Sequence, residues 1–189
     1  MTKRRGDLLQ IAQLGHTVLR KKAKTVKDVK GLTVQKLIDD LISTVMDVDG
    51  VGIGAPQVYK SLRIFILASH PNPRYPKAPK MKPSAVINPK IISYSKEKKK
   101  DWEGCLSIPG IRGLIPRHHS INVEFTNRDG TRLKKTYKDF VARIFQHEFD
   151  HLEGIMFVDR VESSKDLISE KEYQKLMKKD SIIKAVERS

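Results

Sequence analysis

The chain has 189 residues, 39% of them hydrophobic and 31% charged, which fits one soluble globular domain with a core of its own. Its single cysteine excludes an internal disulfide and suits a reducing compartment. No apolar signal-peptide core follows the basic start at residues 1–7, and no stretch approaches the ~18 apolar residues of a membrane span, so the chain reads as cytoplasmic, an organelle matrix being the other compartment it suits, with no membrane partner.

The formal net charge of +15 is unevenly placed. Residues 60–100 carry eleven Lys/Arg against one acid, Glu97, and residues 1–30 carry nine against Asp7 and Asp28. The tail from Val161 is nearly balanced. Such a field attracts polyanions, although solvated lysines that serve solubility account for it equally well. No base-reading motif or aromatic platform accompanies the basic runs, which argues against sequence-specific recognition of DNA.

In chain order, Val34, Leu37, Ile38, Leu41, Ile42, Val45 and Met46 repeat at helical spacing and predict an amphipathic helix over 33–48, with Thr33 as N-cap and Gly50 just beyond its end. The block Gly50-Val51-Gly52-Ile53-Gly54-Ala55-Pro56-Gln57 is too rich in Gly and Pro to predict regular structure. Residues 64–68 read as a buried strand. Residues 71–83 hold five of the nine prolines and predict an exposed loop. Two short strands, 85–89 and 91–94, are expected to break at Pro89, and 96–100 to form a charged turn. Period-two alternation over 121–125, the turn Asn127-Arg128-Asp129-Gly130 and a return strand over 133–137 predict a hairpin. A helix through Val141, Ile144, Phe145, Phe149 and Leu152 should stop at Gly154, and 165–186 predict a further helix. This order gives an α+β domain: small antiparallel or mixed sheets around a central helix, with one helix N-terminal to it and one C-terminal.

That central helix carries Gln146-His147-Glu148-Phe149-Asp150-His151-Leu152-Glu153-Gly154. Positions i and i+4 share a helix face, so His147 and His151 can address one cation, and Glu148 stands where a general base for a metal-bound water belongs. Two histidines leave a tetrahedral site one protein ligand short. Cys105, within Trp102-Glu103-Gly104-Cys105-Leu106-Ser107-Ile108-Pro109-Gly110, is the leading candidate, since a thiolate with two imidazoles suits Zn(II) or Fe(II). Taken alone, the histidine motif does not exclude satisfied residues on a core helix, and a lone cysteine is more often a small buried hydrophobe than a ligand.

Together, in order and spacing, the Gly50–Gln57 block, Glu103-Gly104-Cys105-Leu106-Ser107 and the His147/His151 block resemble the three signature motifs of peptide deformylases. A weaker fourth match is Leu14-Gly15-His16-Thr17-Val18-Leu19-Arg20, and the similarity covers residues 10–162. The resemblance implies a catalytic domain over 1–164, with 165–189 as its helical tail. It implies one divalent ion on Cys105, His147 and His151: Fe(II) natively, with Zn(II) or Ni(II) as alternatives. Glu148 would move the proton in hydrolysis of the formyl group of N-formylmethionyl peptides. The oxyanion would be met by the Gln57 side-chain amide and the Leu106 backbone N–H. An extended peptide would pair with main chain at Val51, Gly52 and Gly104. Arg112 would face it, although a solvated arginine is the commoner reading of such a residue, and Val51, Phe140 and Ile144 would line the methionine pocket. Glu103 and Arg117 would pair to fix the Cys105 loop, with Gln146 and Asp150 supporting the ligand histidines. A ribosome, whose RNA is polyanionic, would be the partner of the basic surface.

Ile53-Gly54 and Thr17 depart from the commoner family residues without removing a chemical group. Two other readings share the His-Glu-x-x-His helix: a thermolysin-like metallopeptidase, in which Cys105 is dispensable, and a zinc-stapled RNA- or ribosome-binding protein, which closes the fourth position with a protein ligand such as His118 or His119.

Overall fold

The structure, a computed structural model, describes residues 6–186, with side chains as far as Lys178; the basic start at 1–5 and the last three residues lie outside the described residues. A five-stranded antiparallel sheet runs in the order β1 (Gly52–Gly54), β2 (Ile64–Leu67), β3 (Ser84–Tyr94), β6 (Ser120–Thr126), β7 (Arg132–Lys138). A second antiparallel sheet joins β4 (Lys98–Cys105), β5 (Ile108–His118) and β8 (Leu167–Ser169). Helix α1 (Leu32–Asp47) precedes the sheets, α2 (Asp139–Leu152) lies between them, and α3 (Glu170–Val186) ends the described chain. The fold is the α+β arrangement expected, with every named strand pair antiparallel.

The large sheet is covered on both faces, and strand alternation shows how. Ile64 and Ile66 of β2 pack with Leu37, Ile38, Leu41 and Val45 of α1, whereas Phe65 and Leu67 pack with Ala142, Phe145 and Leu152 of α2. All four β2 side chains are buried, which is why 64–67 reads as an unbroken apolar run. Helix α2 is thus clamped between the β2 face and the second sheet, and its one polar stripe has only the space between them to occupy.

Several local expectations need correction. Helix α1 begins at Leu32 with Gly31 as its N-cap and no side-chain cap; the Gly31 carbonyl accepts the Gln35 N–H at 3.0 Å, which places Thr33 inside the first turn. The Gly-rich block is regular after all: Gly52–Gly54 pair with Leu67, Ile66 and Phe65, and Ala55–Val58 make a 3-10 turn with Pro56 near its start. β3 does not break at Pro89 but bulges there. Asn88 adopts a left-handed φ of 50° and the register with β6 shifts between Ile87 and Lys90, so the missing N–H falls where the ladder is already interrupted. The charged turn is shorter than 96–100, because Lys98, Lys99 and Lys100 already pair with His118, Arg117 and Pro116. The last helix begins at Glu170 rather than 165, since Leu167–Ser169 pair with Gly113, Arg112 and Ile111. Residues 71–83 form no named strand or helix, yet Asn72 and Ala78 are buried and the loop folds back over the molecule instead of standing clear. Gly154, at φ 76°, ends α2 as expected.

Candidate metal centre and cleft

The hairpin β4–β5 and helix α2 bring the distant motifs together. The ladder runs in register from Lys98 to Gly104 and then shifts, so that Cys105 opposes Ile108 across the tight turn Leu106-Ser107. The shift turns the sulfur off the sheet and towards α2. On that helix His147 and His151 stand one turn apart, ring centroids 5.0 Å from each other. Donor atoms of Cys105, His147 and His151 all lie within 4.8 Å of one another. Cys105 Sγ and His151 Nε2 are 3.4 Å apart, close to the roughly 3.5 Å between two ligands that a tetrahedral ion with ~2.0–2.3 Å bonds requires. His147 gives its Nδ1 side to Glu103 at 2.9 Å, which leaves Nε2 for an ion. A soft sulfur with two imidazoles therefore fits a divalent transition metal. Among the described residues this is the one His/Cys/Asp/Glu group of three so arranged; His118 Nδ1 meets the Ser95 carbonyl and His119 lies near Asp139.

Glu103 is the hub behind the centre. It is 3% exposed and takes two hydrogen bonds from Arg117, at 2.9 and 3.0 Å, one from Arg143 at 2.8 Å, and the His147 contact. Burial opposes its charge, but the Arg117 guanidinium and His147 outweigh burial and hold the carboxyl well below the usual range. The same pairing with Glu103 and Asp150 outweighs burial at Arg117 and raises it above the ordinary guanidinium value. At His147 burial again works against the cation, and contacts with Cys105 and Glu103 overcome it; at His151 burial and the neighbouring His147 push the ring lower. Asp150 does not orient a histidine. It accepts from Arg117 at 2.5 Å and from Arg160 at 2.6 Å. Gln146 binds the His118 backbone N–H and carbonyl, tying α2 to the end of β5.

Glu148 projects from α2 on the other side of His147. It is buried, its Oε2 has no hydrogen-bond partner, and burial, partly offset by His147, raises its carboxyl to about 7. Gly52 makes room for it. A Cβ built there would lie 2.5 Å from Glu148 Oε1 and 2.9 Å from Ile144 Cγ2, so the space the glycine vacates is filled by the carboxylate rather than left for a ligand. Gln57 is held in one orientation: its Oε1 accepts the Gly54 N–H at 2.7 Å, so its amide NH2 faces Ser107 Oγ at 3.2 Å and Cys105 Sγ at 3.5 Å. The sulfur also accepts the Ser107 N–H at 3.4 Å.

These groups open on a cavity of about 370 Å³. Val51, Gly52, Gln57, Gly104, Cys105, Leu106, Phe140, Ile144, His147 and Glu148 all line it, so the expected residues around the metal pair converge on one cleft. His151 stands behind, 1% exposed. Arg112 also lines the cleft, but not as a solvated or freely peptide-facing side chain: it is 1% exposed and paired with Glu170 at 2.7 Å. Sequence reasoning missed Arg143, Tyr75 and Glu170 in this wall. Only Arg143 left a local trace, lying four residues before His147 on the same helix face.

The family model for polypeptide deformylase matches residues 8–167. A relative from a Nostoc species, peptide deformylase 2, is 59% identical over 175 residues, spanning 93% of this chain and 98% of its own. Peptide deformylase 2 of Shewanella oneidensis is 44% identical over 152 residues, 80% of this chain and 83% of that one. Among solved structures, the Met-Ala-Ser-bound class I type b peptide deformylase of Acinetobacter baumannii superposes with a TM-score of 0.79 at 40% identity, over 82% of this chain and 98% of that chain. The actinonin complex of the Synechococcus elongatus deformylase gives 0.76 at 30%, over 87% and 86%.

Proposed function

This chain belongs to the polypeptide deformylase family, and from that premise we propose that it hydrolyses the formyl group from N-formylmethionyl peptides, releasing formate. The observation that carries the reading is a sulfur and two imidazoles whose donor atoms lie within 4.8 Å, beside a buried glutamate with one oxygen unpartnered. Cys105, His147 and His151 would hold one divalent ion, Fe(II) by family precedent with Zn(II) or Ni(II) as alternatives. Bound there, the ion supplies Lewis acidity to a water and to the formyl carbonyl.

The chain's own groups do the rest. Glu148 takes a proton from the attacking water and returns it to the leaving amine. The Gln57 NH2, locked by the Gly54 N–H, donates to the oxygen that becomes negative, and the Leu106 N–H is its companion. A neutral amide stabilises that charge without titrating. The peptide adds as an extended strand beside β1, an edge strand, and meets Val51, Gly52 and Gly104 through main chain. Phe140 and Ile144 line the cleft with Val51 and receive the methionine side chain.

The two other readings of the sequence are not favoured. A thermolysin-like peptidase has no use for Cys105 beside His151, and a structural zinc site needs a fourth protein ligand. We place the enzyme in the cytoplasm, meeting nascent chains at the ribosome through its basic surface; co-sedimentation with ribosomes that weakens as salt rises would support this, and salt-insensitive or absent binding would contradict it. The deciding assay follows formyl-Met-Ala-Ser with anaerobically metal-loaded protein. Formate with the tripeptide left intact is expected, and peptide-bond cleavage without formate would overturn the reading.

A further inference from the structure

Two segments outside the metal centre meet in the wall of the cleft, and a single guanidinium joins them. Arg112 of β5 is opposite Gly104 in the ladder, its Cζ 3.6 Å from where a Gly104 Cβ would stand. Its Nε donates to Glu170 Oε2 at 2.7 Å and its Nη2 to Oε1 at 3.3 Å, so the first residue of α3 grips it in a two-point fork. Its Nη1 donates to the Tyr75 hydroxyl at 3.3 Å, within the Pro-rich loop. The guanidinium lies over the Tyr173 ring at 4.2 Å and beside Tyr75 at 5.4 Å, while Tyr75 packs on Phe140 at 5.0 Å. Arg74, Tyr75, Arg112 and Glu170 line the same cavity as Glu148 and Gln57. Meanwhile β8 occupies the β5 edge at Ile111, Arg112 and Gly113.

We infer that Glu170 is a specificity-determining residue: its carboxylate occupies Arg112 from within and makes the far wall of the cleft unreceptive to a carboxylate on the third residue of a bound peptide. The inference rests on the deformylase reading, which sets the formyl carbon at the metal end. An extended peptide advances ~3.3 Å per residue, so its second and third residues run along the wall that Gly104 and Arg112 form. A buried guanidinium there would attract an anion, whether an acidic side chain or the free carboxylate of a short peptide. Glu170 already supplies that anion through the fork that carboxylate would use, and hydrogen bonds from Arg112 and Gln174 hold Glu170 ionised against partial burial. A newcomer must displace Glu170 or lie against it, and like charge disfavours both. The interior of a long nascent chain carries no terminal carboxylate and passes without this cost. The clamp thereby favours long chains over short product-like peptides.

The test compares formyl-Met-Ala-Ser as the free acid and as its C-terminal amide, read as the ratio of kcat/KM values for metal-loaded wild type, Glu170→Gln, and Glu170→Gln combined with Arg112→Gln. Wild type should not prefer the acid. Glu170→Gln should shift the ratio towards the acid by roughly tenfold, the size of one charge-assisted hydrogen bond, mainly through KM. The double variant should lose that gain, which traces it to the Arg112 guanidinium. Circular dichroism and melting curves establish that each variant is folded. If Glu170→Gln leaves the ratio within twofold of wild type, or the double variant keeps the gain, the inference is wrong while the deformylase reading stands. If wild type with bound metal releases no formate from either substrate, the deformylase reading fails and takes the inference with it.

Discussion

Gly52→Ala tests the geometry of the cleft with one methyl group. The added Cβ would lie 2.5 Å from Glu148 Oε1, 3.0 Å from its Cδ and 2.9 Å from Ile144 Cγ2, whereas ordinary contact begins at 3.4 Å. The carboxylate must therefore retreat by about 0.9 Å, or β1 must move away from α2 by a similar amount. Neither is easy. Glu148 and Ile144 are one turn apart on a buried helix, and all three residues of β1 are buried and paired to β2. Overpacking of this kind costs ~1–3 kcal/mol of stability. Misplacing a proton-transfer group by about 1 Å costs on the order of 100-fold in rate. We expect kcat/KM for formate release to fall by about that factor, through kcat where Glu148 retreats and partly through KM where β1, beside which the peptide adds, moves instead. Metal content should stay at the wild-type level, since Glu148 is not among the three donors. Metal analysis, steady-state formate release and urea unfolding on the same preparation read all of this. Activity within threefold of wild type, with an unchanged unfolding midpoint, would refute the close approach of β1 to Glu148.

Glu103→Gln removes the charge shared by Arg117, Arg143 and His147. Breaking a buried ion pair by removing one partner costs ~3–5 kcal/mol and losing a histidine's supporting carboxylate costs ~10–100-fold in metal affinity, so urea unfolding and zinc competition should both report losses; wild-type values in both would contradict the hub. Gln57→Ala should lower kcat by ~10²–10³ with metal retained, and a smaller loss than tenfold would remove Gln57 from the oxyanion role. His70 donates from Nε2 to Asp49 Oδ1 and from Nδ1 to the Ala68 carbonyl, each at 2.7 Å, tying the start of the Pro-rich loop to the turn before β1. The Asp49 hydrogen bond raises the ring above the ordinary histidine value, and Ala68 adds to this, against burial and Arg74. A raised folded value means stability present in full below the unfolded value of ~6.5 and lost as pH climbs through the folded one. The stability gap between wild type and His70→Gln should accordingly be widest near pH 5 and close towards pH 9 in urea titrations; a gap independent of pH would contradict the clasp.

What was legible in the chain followed from local pattern. The α2 heptad-like spacing, the Asn127–Gly130 turn between alternating strands and the four-residue histidine step are each short-range signals, and each falls where expected. The β4–β5 hairpin that carries Cys105 was not legible. Gly104, Pro109, Gly110, Gly113 and Pro116 break any strand signature, and three lysines in β4 read as a turn, yet tertiary pairing overrides these propensities. β8 is three residues long and abuts a helix, so nothing separates it from the helical pattern that follows. At the site, ligands and base were readable because their spacing is chemical. The wall was not, because its bonds join residues remote in sequence: Arg143 to Glu103 across 40 positions, Arg112 to Tyr75 across 37 and to Glu170 across 58. No local periodicity encodes such pairs. Asp150 illustrates the converse, since the support for a ligand histidine that the resemblance implied is not what its bonds to Arg117 and Arg160 provide.

The most direct measurement is formate release by Glu148→Ala, set beside its metal content. One ion per chain, retained, with turnover lowered by ~10²–10⁴ is the expected result, because the three donors survive and the proton carrier does not. Formate release at the wild-type rate, or loss of the ion along with the glutamate, would contradict the assignment of Cys105, His147 and His151 as the holders and Glu148 as the base.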